Sequence, residues 1–288
     1  MKNWLILPKN KVKLTIFSEF YKWWCKFIKN LFRAIAGFVI LDLYFNLVTV
    51  QLGNPYLQFG STLLFFPLAY YIAKWVGLDG LKGLGMMLHP GWKKNFFYSF
   101  TIGFSFWMLM FGFQFLNGEL EFIGVKRPAD VIMPIIEVFV GYFVGSLIND
   151  LITRGYIIQQ LKGRIHIYWV FTISIMIYAL DDYWYAGLSI SNIIFSILLG
   201  LSLTYAFYKT GSIWADSGIH YGLNVAYGLF YGLVGNPEGG ILKIREHGHE
   251  TVPLQYIVPA MMFLFVFRFQ RFYRKNTTIP MKKVPFST

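Results

Sequence analysis

Long apolar segments alternate with short polar breaks along almost the whole chain. A helix that crosses the hydrocarbon core of a bilayer needs about 20 mostly apolar residues. Segments approaching that length occupy residues 31–51, 58–78, 95–116, 132–161, 167–183, 187–208, 211–234 and 252–270. This pattern predicts an all-α fold, a polytopic membrane helical bundle of about eight transmembrane helices.

The composition agrees with lipid as the solvent of most of the surface. Charged residues make up only 14% of the chain and hydrophobic residues 56%, whereas soluble domains carry roughly 25% charged residues. The net charge of +12 comes from cations that cluster at the termini and segment ends. This placement indicates membrane orientation and contact with anionic lipid, and we expect no nucleic-acid partner. The single cysteine, Cys25, excludes an intrachain disulfide.

The segments divide the chain into four parts. Residues 1–30 are basic and aromatic, which predicts an amphipathic helix lying flat on the inner leaflet; a disordered basic leader is the alternative. Residues 31–128 form the amino-terminal transmembrane helices and residues 129–235 the core. Residues 236–288 contain an outer loop, the last transmembrane helix and a basic cytoplasmic tail.

The distribution of lysine and arginine predicts the orientation. Cytoplasmic loops of membrane proteins carry an excess of these residues. Both ends of the chain are strongly basic, and so is the break at 79–94. We therefore place both termini in the cytoplasm, which an even number of spans satisfies, and we expect a multi-pass protein of the plasma membrane.

Polar side chains interrupt three of the apolar segments. They are Asn149, Asp150, Arg154, Asp181, Asp182, Asp216, His220 and Asn224. Ionisable groups at membrane depth are costly, so they usually face the interior of a bundle and mark a functional site.

Helix geometry predicts that these residues converge. Asp150 lies about fifteen residues before the Gly163 turn and Asp182 about seventeen after it, so at ~1.5 Å per residue they reach similar depth in an antiparallel pair. His220 lies about ten residues into its own helix, or roughly 15 Å from the end. We expect one shared cavity.

Each polar residue also has a structural interpretation. Asp150 and Arg154 are spaced for an ion pair, and a purely structural role of this pair is as plausible as a catalytic one. His220 and Asn224 lie one turn apart, which fits two ligands on one face or helix–helix hydrogen bonds. Asp181 and Asp182 could simply cap a helix in water.

Small residues line one face of the fourth segment. Gly141, Gly145 and Asn149 recur every four residues, and residues four apart share a helix face. Small side chains allow two helices to approach closely in a membrane. This face, which also includes Thr153, therefore allows a close helix contact.

The outer loop holds a second group of metal-binding residue types. His247 and His249 are flanked by Glu246 and Glu250, a set that can bind zinc. A solvated loop is the favoured interpretation, because Lys243 and Arg245 nearby would repel a cation.

Three short motifs carry a resemblance to a known family. They read Asn149-Asp150-x-x-x-Arg154-Gly155, Tyr178-x-x-x-Asp182 and His220-x-x-x-Asn224. In order and spacing they resemble the motifs of the CPBP family (CAAX protease and bacteriocin-processing proteins, the Abi domain), over about residues 130–235. The corresponding family motifs are Glu-Glu-x-x-x-Arg, an aromatic residue followed by x-x-x-His, and His-x-x-x-Asn or Asp.

The resemblance implies an intramembrane endopeptidase site that has changed. In the family a motif-one glutamate activates water, and here that position is Asn149. An amide cannot accept a proton at useful pH, and general-base catalysis contributes typically 10²–10⁴-fold to a rate. Asp182 replaces the motif-two histidine. Asp150, Arg154, His220 and Asn224 complete the implied catalytic set.

The changed motifs leave the cofactor and the function open. Asp150, Asp182 and His220 could bind a divalent metal such as zinc; the favoured expectation is no cofactor. The favoured function is a cavity that binds a hydrophobic peptide or a partner membrane protein, as in a protease-derived protein conferring bacteriocin immunity. The alternative is an active intramembrane metallo-endopeptidase. A small transporter is the third option, without the inverted repeat that transporters often show.

Overall fold

The computed structural model describes residues 9–233, 239–247 and 253–275. Helices account for 78% of the structure, which confirms the all-α prediction. The helices are α1 (Lys9–Leu43), α2 (Pro55–Trp75), α3 (Gly80–Gly83), α4 (Trp92–Leu116), α5 (Pro128–Leu161), α6 (Ile167–Asp181), α7 (Tyr183–Ala186), α8 (Ile190–Thr210), α9 (Ile213–Tyr231) and α10 (Leu254–Arg268). The strands are β1 (Leu120–Val125) and β2 (Leu242–Glu246).

Long apolar helices give the molecule its membrane character. Those long and apolar enough to cross a bilayer are Trp24–Val48, Trp92–Leu116, Pro128–Leu161 and Ile190–Thr210. The apolar helices α6 and α10 have 15 residues each and rise only about 22 Å. The chain is therefore a helical membrane protein in contact with lipid. The count of eight spans and the cytoplasmic placement of both termini stay predictions.

The amino-terminal helix runs through a boundary that the sequence predicts. α1 continues from Lys9 to Leu43 without a break at residue 30, so the basic segment and the first span form one helix. The exposed side chains of Leu31, Phe32 and Ile35 present an apolar surface beyond that boundary. The placement of the basic end on the inner leaflet stays a prediction.

The closest helix pair is α4 with α9, which pack through glycines. A Cβ atom at Gly218 would lie 2.5 Å from the carbonyl oxygen of Phe96, and one at Gly222 would collide with the carbonyl oxygen of Phe100. Gly103 on α4 faces α9 in the same way. Small residues let backbones approach in lipid, where dispersion contacts drive helix association. This contact fixes the helix that carries His220.

The beginning of α9 is held by the loop that follows α3. The N–H of Ile213 donates to the carbonyl oxygen of Gly85 at 3.1 Å, and Trp214 Nε1 donates to the carbonyl oxygen of Met87 at 2.9 Å. Gly85 has a φ of 90°, a left-handed conformation that favours glycine. These bonds satisfy groups at the helix start and fix the depth of α9.

A small antiparallel sheet lies where the sequence predicts only an outer loop. Strands β1 and β2 pair with Leu120 opposite Glu246, and Arg245 Nη1 donates to Glu121 Oε2 at 2.9 Å. His247 Nε2 also lies 3.1 Å from Glu121 Oε2. His247 therefore contacts a carboxylate of the facing strand, while His249 lies outside the described residues.

Candidate active site

The core of the site joins α5 and α9 through one carboxylate. Asp150 and Arg154, one turn apart on α5, form the ion pair that their spacing predicts, and both side chains are fully buried. His220 Nδ1 on α9 lies 3.0 Å from Asp150 Oδ1. Because a carboxylate only accepts hydrogen bonds, Nδ1 carries the proton and donates a hydrogen bond to Asp150. Asp150 thus orients His220 and neutralises Arg154.

Tyr178 on α6 completes this core. The guanidinium carbon of Arg154 lies 4.2 Å from the centre of the Tyr178 ring, within the range of a cation–π interaction. The rings of Tyr178 and His220 meet edge to face with centroids 6.0 Å apart. The motif gives Tyr178 only as an aromatic position, whereas the structure places its ring against both Arg154 and His220.

A widened turn in α5 places motif one. Residues Leu151–Tyr156 form a π-helical segment, a deviation that is frequent at functional sites. Thr153 Oγ1 donates to the carbonyl oxygen of Asn149 at 2.8 Å, and Ser174 Oγ donates to the carbonyl oxygen of Thr153 at 2.8 Å. These bonds satisfy backbone groups that lipid could not.

Asn149 contacts a carboxyl group that belongs to none of the three motifs. Its side-chain amide donates to Asp181 Oδ2. Asn46, on the π-helical segment Tyr44–Val48 that continues α1, donates to Asp181 Oδ1 at 2.9 Å and to Asp42 Oδ1 at 3.2 Å. Asp181 is buried, so it does not cap a helix in water. Asp42 and Asn46 were not expected at the site, although their spacing of four residues within an apolar helix is a signal.

The two remaining motif residues have separate partners. Ser196 Oγ on α8 donates to Asp182 Oδ2 at 2.6 Å. Asn224 Nδ2 donates to Ser146 Oγ at 3.0 Å, which links α9 to α5 one turn beyond His220. Asp182 and Asn224 therefore stabilise helix contacts at the edge of the core.

The residues present do not fit a metal ion. Within the described parts of the chain, no three His, Cys, Asp or Glu side chains form a group that could hold one. Asp150 Oδ1 is already shared by Arg154 and His220, and a guanidinium beside the carboxylate opposes a second cation. The predicted ligand set of Asp150, Asp182 and His220 is therefore not assembled.

Asp216 adds a buried carboxyl group one turn before His220. It is fully buried, and neither carboxylate oxygen has a side-chain hydrogen-bond partner among the described residues. The backbone N–H groups of Asp216 and Ser217 are the groups that interact with it. Three further buried atoms have no hydrogen-bond partner among the described residues, namely Nε and Nη2 of Arg154 and Oδ2 of Asp150. Burying polar groups without partners is costly, so this polar core is more than a packing contact.

Comparison with known families identifies this part of the molecule. Residues 131–226 match the family model described as type II CAAX prenyl endopeptidase Rce1-like. This stretch, called the Rce1-like domain below, is similar to that family, which belongs to the CPBP proteins. The match confirms the resemblance drawn from the three motifs. No curated protein and no solved structure gave a significant match to the chain.

The Rce1-like domain accounts for most of the polar core. It extends from the first turns of α5 into α9 and includes His220 and Asn224. Asp42 and Asn46, which contact Asp181, lie outside it on the amino-terminal helices. The site is therefore built from the family domain and from a part of the chain that the match does not cover.

Proposed function

We propose that the Rce1-like domain binds a hydrophobic peptide or the transmembrane segment of a partner protein without cleaving it. Asn149 carries this proposal, because an amide stands at the position of the water-activating glutamate. A general base is worth typically 10²–10⁴-fold in rate. Asp150 is a poor replacement for that base, because the buried ion pair with Arg154 stabilises its charged form and lowers its tendency to accept a proton.

The retained parts of the site support binding. Asp150, Arg154, Tyr178 and His220 form a connected polar core between three helices. Such a core is expensive to keep within a membrane. A chain that had lost every use for the site would gain stability from apolar replacements of similar volume. A bound peptide, for example a bacteriocin-like molecule in an immunity role, gives the core a function.

The test is a combined binding and cleavage assay in proteoliposomes. The probes are a synthetic transmembrane peptide with a photo-crosslinking benzoylphenylalanine and a farnesylated CAAX peptide. We expect crosslinks between the transmembrane peptide and the protein, and both peptides should stay intact by mass spectrometry. The exposed variant Lys74→Gln serves as the control and should behave like the parent.

Cleavage that depends on the site would overturn the proposal. The decisive result would be that the parent produces fragments of either peptide and the His220→Ala variant produces none. Absence of crosslinks above those formed with an unrelated helical membrane protein would also count against it.

A further inference from the structure

A second polar cluster lies beside the core and is not used by it. It consists of the carboxyl groups of Asp42 and Asp181 and the side-chain amides of Asn46 and Asn149. Asn46 Nδ2 contacts one oxygen of each carboxyl group, so both carboxyl groups lie within hydrogen-bond distance of one amide nitrogen. We name these four residues the acidic subsite.

The two carboxyl groups of the acidic subsite have no positively charged partner in the part of the chain that the structure describes. Among the described residues, neither Asp42 nor Asp181 forms an ion pair with a lysine, arginine or histidine. Asp181 is the last residue of α6, where the helix dipole is negative and disfavours a carboxylate. Two close carboxyl groups in such a place need either a shared proton or a cation.

An unpartnered amide oxygen favours a cation over a proton. Asn149 is 8% exposed, its Nδ2 faces Asp181, and its buried Oδ1 has no partner among the described residues. A proton shared by Asp42 and Asp181 would leave this acceptor unsatisfied. An ammonium group has three donors and a guanidinium five, so either can bond both carboxyl groups and the amide oxygen.

The position of the subsite fits a ligand within the bilayer. The 15 residues of α6 rise about 22 Å, so the helix ends short of the roughly 30 Å hydrocarbon thickness. Asp42 is half-buried at the margin of the bundle, which leaves a side of the subsite open. A positive charge here would be carried by a membrane-inserted chain.

We propose that the acidic subsite binds a lysine or arginine side chain of a membrane-inserted peptide. This inference rests on the proposed function, because it assigns specificity to the same peptide-binding site. Charge-assisted hydrogen bonds from the ligand to Asp42 and Asp181 supply the preference, and Asn149 Oδ1 accepts a further N–H.

The test compares peptides that differ in one side chain. The probes are fluorescent Leu/Ala transmembrane peptides with a single lysine, arginine or norleucine at the depth of Asp181, titrated against the full-length protein in nanodiscs. We expect the lysine and arginine peptides to bind at least about tenfold more tightly than the norleucine peptide. In Asp42→Asn/Asp181→Asn this ratio should fall below about twofold, since charge is lost while the amides keep the shape.

Controls separate the subsite from the fold. Asp130→Asn, which removes an exposed carboxylate paired with Arg127, should keep the full preference. The circular dichroism spectrum and the size-exclusion elution volume of the double variant should match those of the parent, which shows that the variant is folded. A parent that binds the three peptides equally would overturn the inference and indicate that a proton alone neutralises the pair.

A second measurement separates this inference from the proposed function. The probes are the amphiphiles n-dodecylammonium and n-dodecanol, compared by their effect on the thermal unfolding of the parent. If the ammonium stabilises the parent, the alcohol does not, and the effect is lost in Asp42→Asn/Asp181→Asn, the cation site is supported. This holds even if no peptide binds, and then only the proposed peptide-binding function is contradicted. Equal effects of the two amphiphiles on the parent would contradict the cation site.

Discussion

Arg154 is the residue on which the polar core depends. It pairs with Asp150, donates to Thr153 Oγ1 at 2.7 Å and lies over the ring of Tyr178. A buried ion pair contributes little net stability, but breaking it leaves an uncompensated charge. Arg154 is therefore a structural requirement whatever chemistry the site performs.

Removal of this charge gives a prediction at the residue scale. Arg154→Met should destabilise the protein by about 3–5 kcal/mol, because Asp150 stays buried without its partner. Thermal unfolding in detergent measures the change, and Lys74→Met at the exposed Lys74–Asp79 pair is the control, for which we expect no measurable loss of stability. Adding Asp150→Asn to Arg154→Met should restore part of the loss. Equal stability of Arg154→Met and the control would contradict a structural role.

Sequence spacing predicts part of the site and misses the rest. The Asp150–Arg154 pair follows from a one-turn separation, and the nearness of His220 follows from comparing depths along three helices. Asp42 and Asn46 could not be assigned in this way, because Asn46 is 135 positions from Asp181 and belongs to no motif. Hydrogen bonds between distant segments depend on which helices are neighbours, and hydropathy does not encode that.

At the scale of elements, glycine contacts decide which helices are neighbours. The small residues at Gly141 and Gly145 allow a close contact, but at Gly145 an added Cβ would have no described atom within 4 Å. The close contact instead joins α9 to α4 through Gly218 and Gly222. A pattern of small residues identifies a face that permits close packing, but it does not identify the helix that uses it.

This contact gives a prediction with a matched control. Gly222→Ala should destabilise the protein by about 1–3 kcal/mol, because its methyl group collides with the backbone of α4. Gly112→Ala places a methyl group in open space on α4 and should be neutral or stabilising by up to about 1 kcal/mol. Both are measured by thermal unfolding in detergent. Indistinguishable unfolding temperatures would exclude the tight α4–α9 contact.

At the scale of the whole molecule, apolar runs predict the class of fold better than the details of it. They predict the all-α membrane bundle, because a long run of apolar residues is most stable as a helix within the hydrocarbon core of a bilayer. They miss the β1–β2 sheet, because its two short strands lie more than 100 positions apart. They also place a boundary at residue 30 inside a continuous helix, since a helix can carry a basic end and an apolar span.

Orientation across the membrane is the prediction that belongs to this scale. Leu116 and Lys82 are both exposed, and they lie near opposite ends of the α4 region. Each is replaced in turn by a single cysteine in a Cys25→Ser background. A membrane-impermeant maleimide should label Leu116→Cys on intact cells and Lys82→Cys only after permeabilisation. The reverse pattern would show that the bias in positive charge does not set the orientation here.

The central claim is that α5 and α9 meet at a buried contact between Asp150 and His220. A double-mutant cycle with Asp150→Asn and His220→Gln, followed by thermal unfolding of the protein in detergent, tests it most directly. Residues in contact typically show coupling of 0.5–3 kcal/mol, and we predict about 1 kcal/mol or more here. Asp150→Asn combined with the remote Asp79→Asn should be additive. Additivity of the Asp150 and His220 substitutions as well would contradict the account.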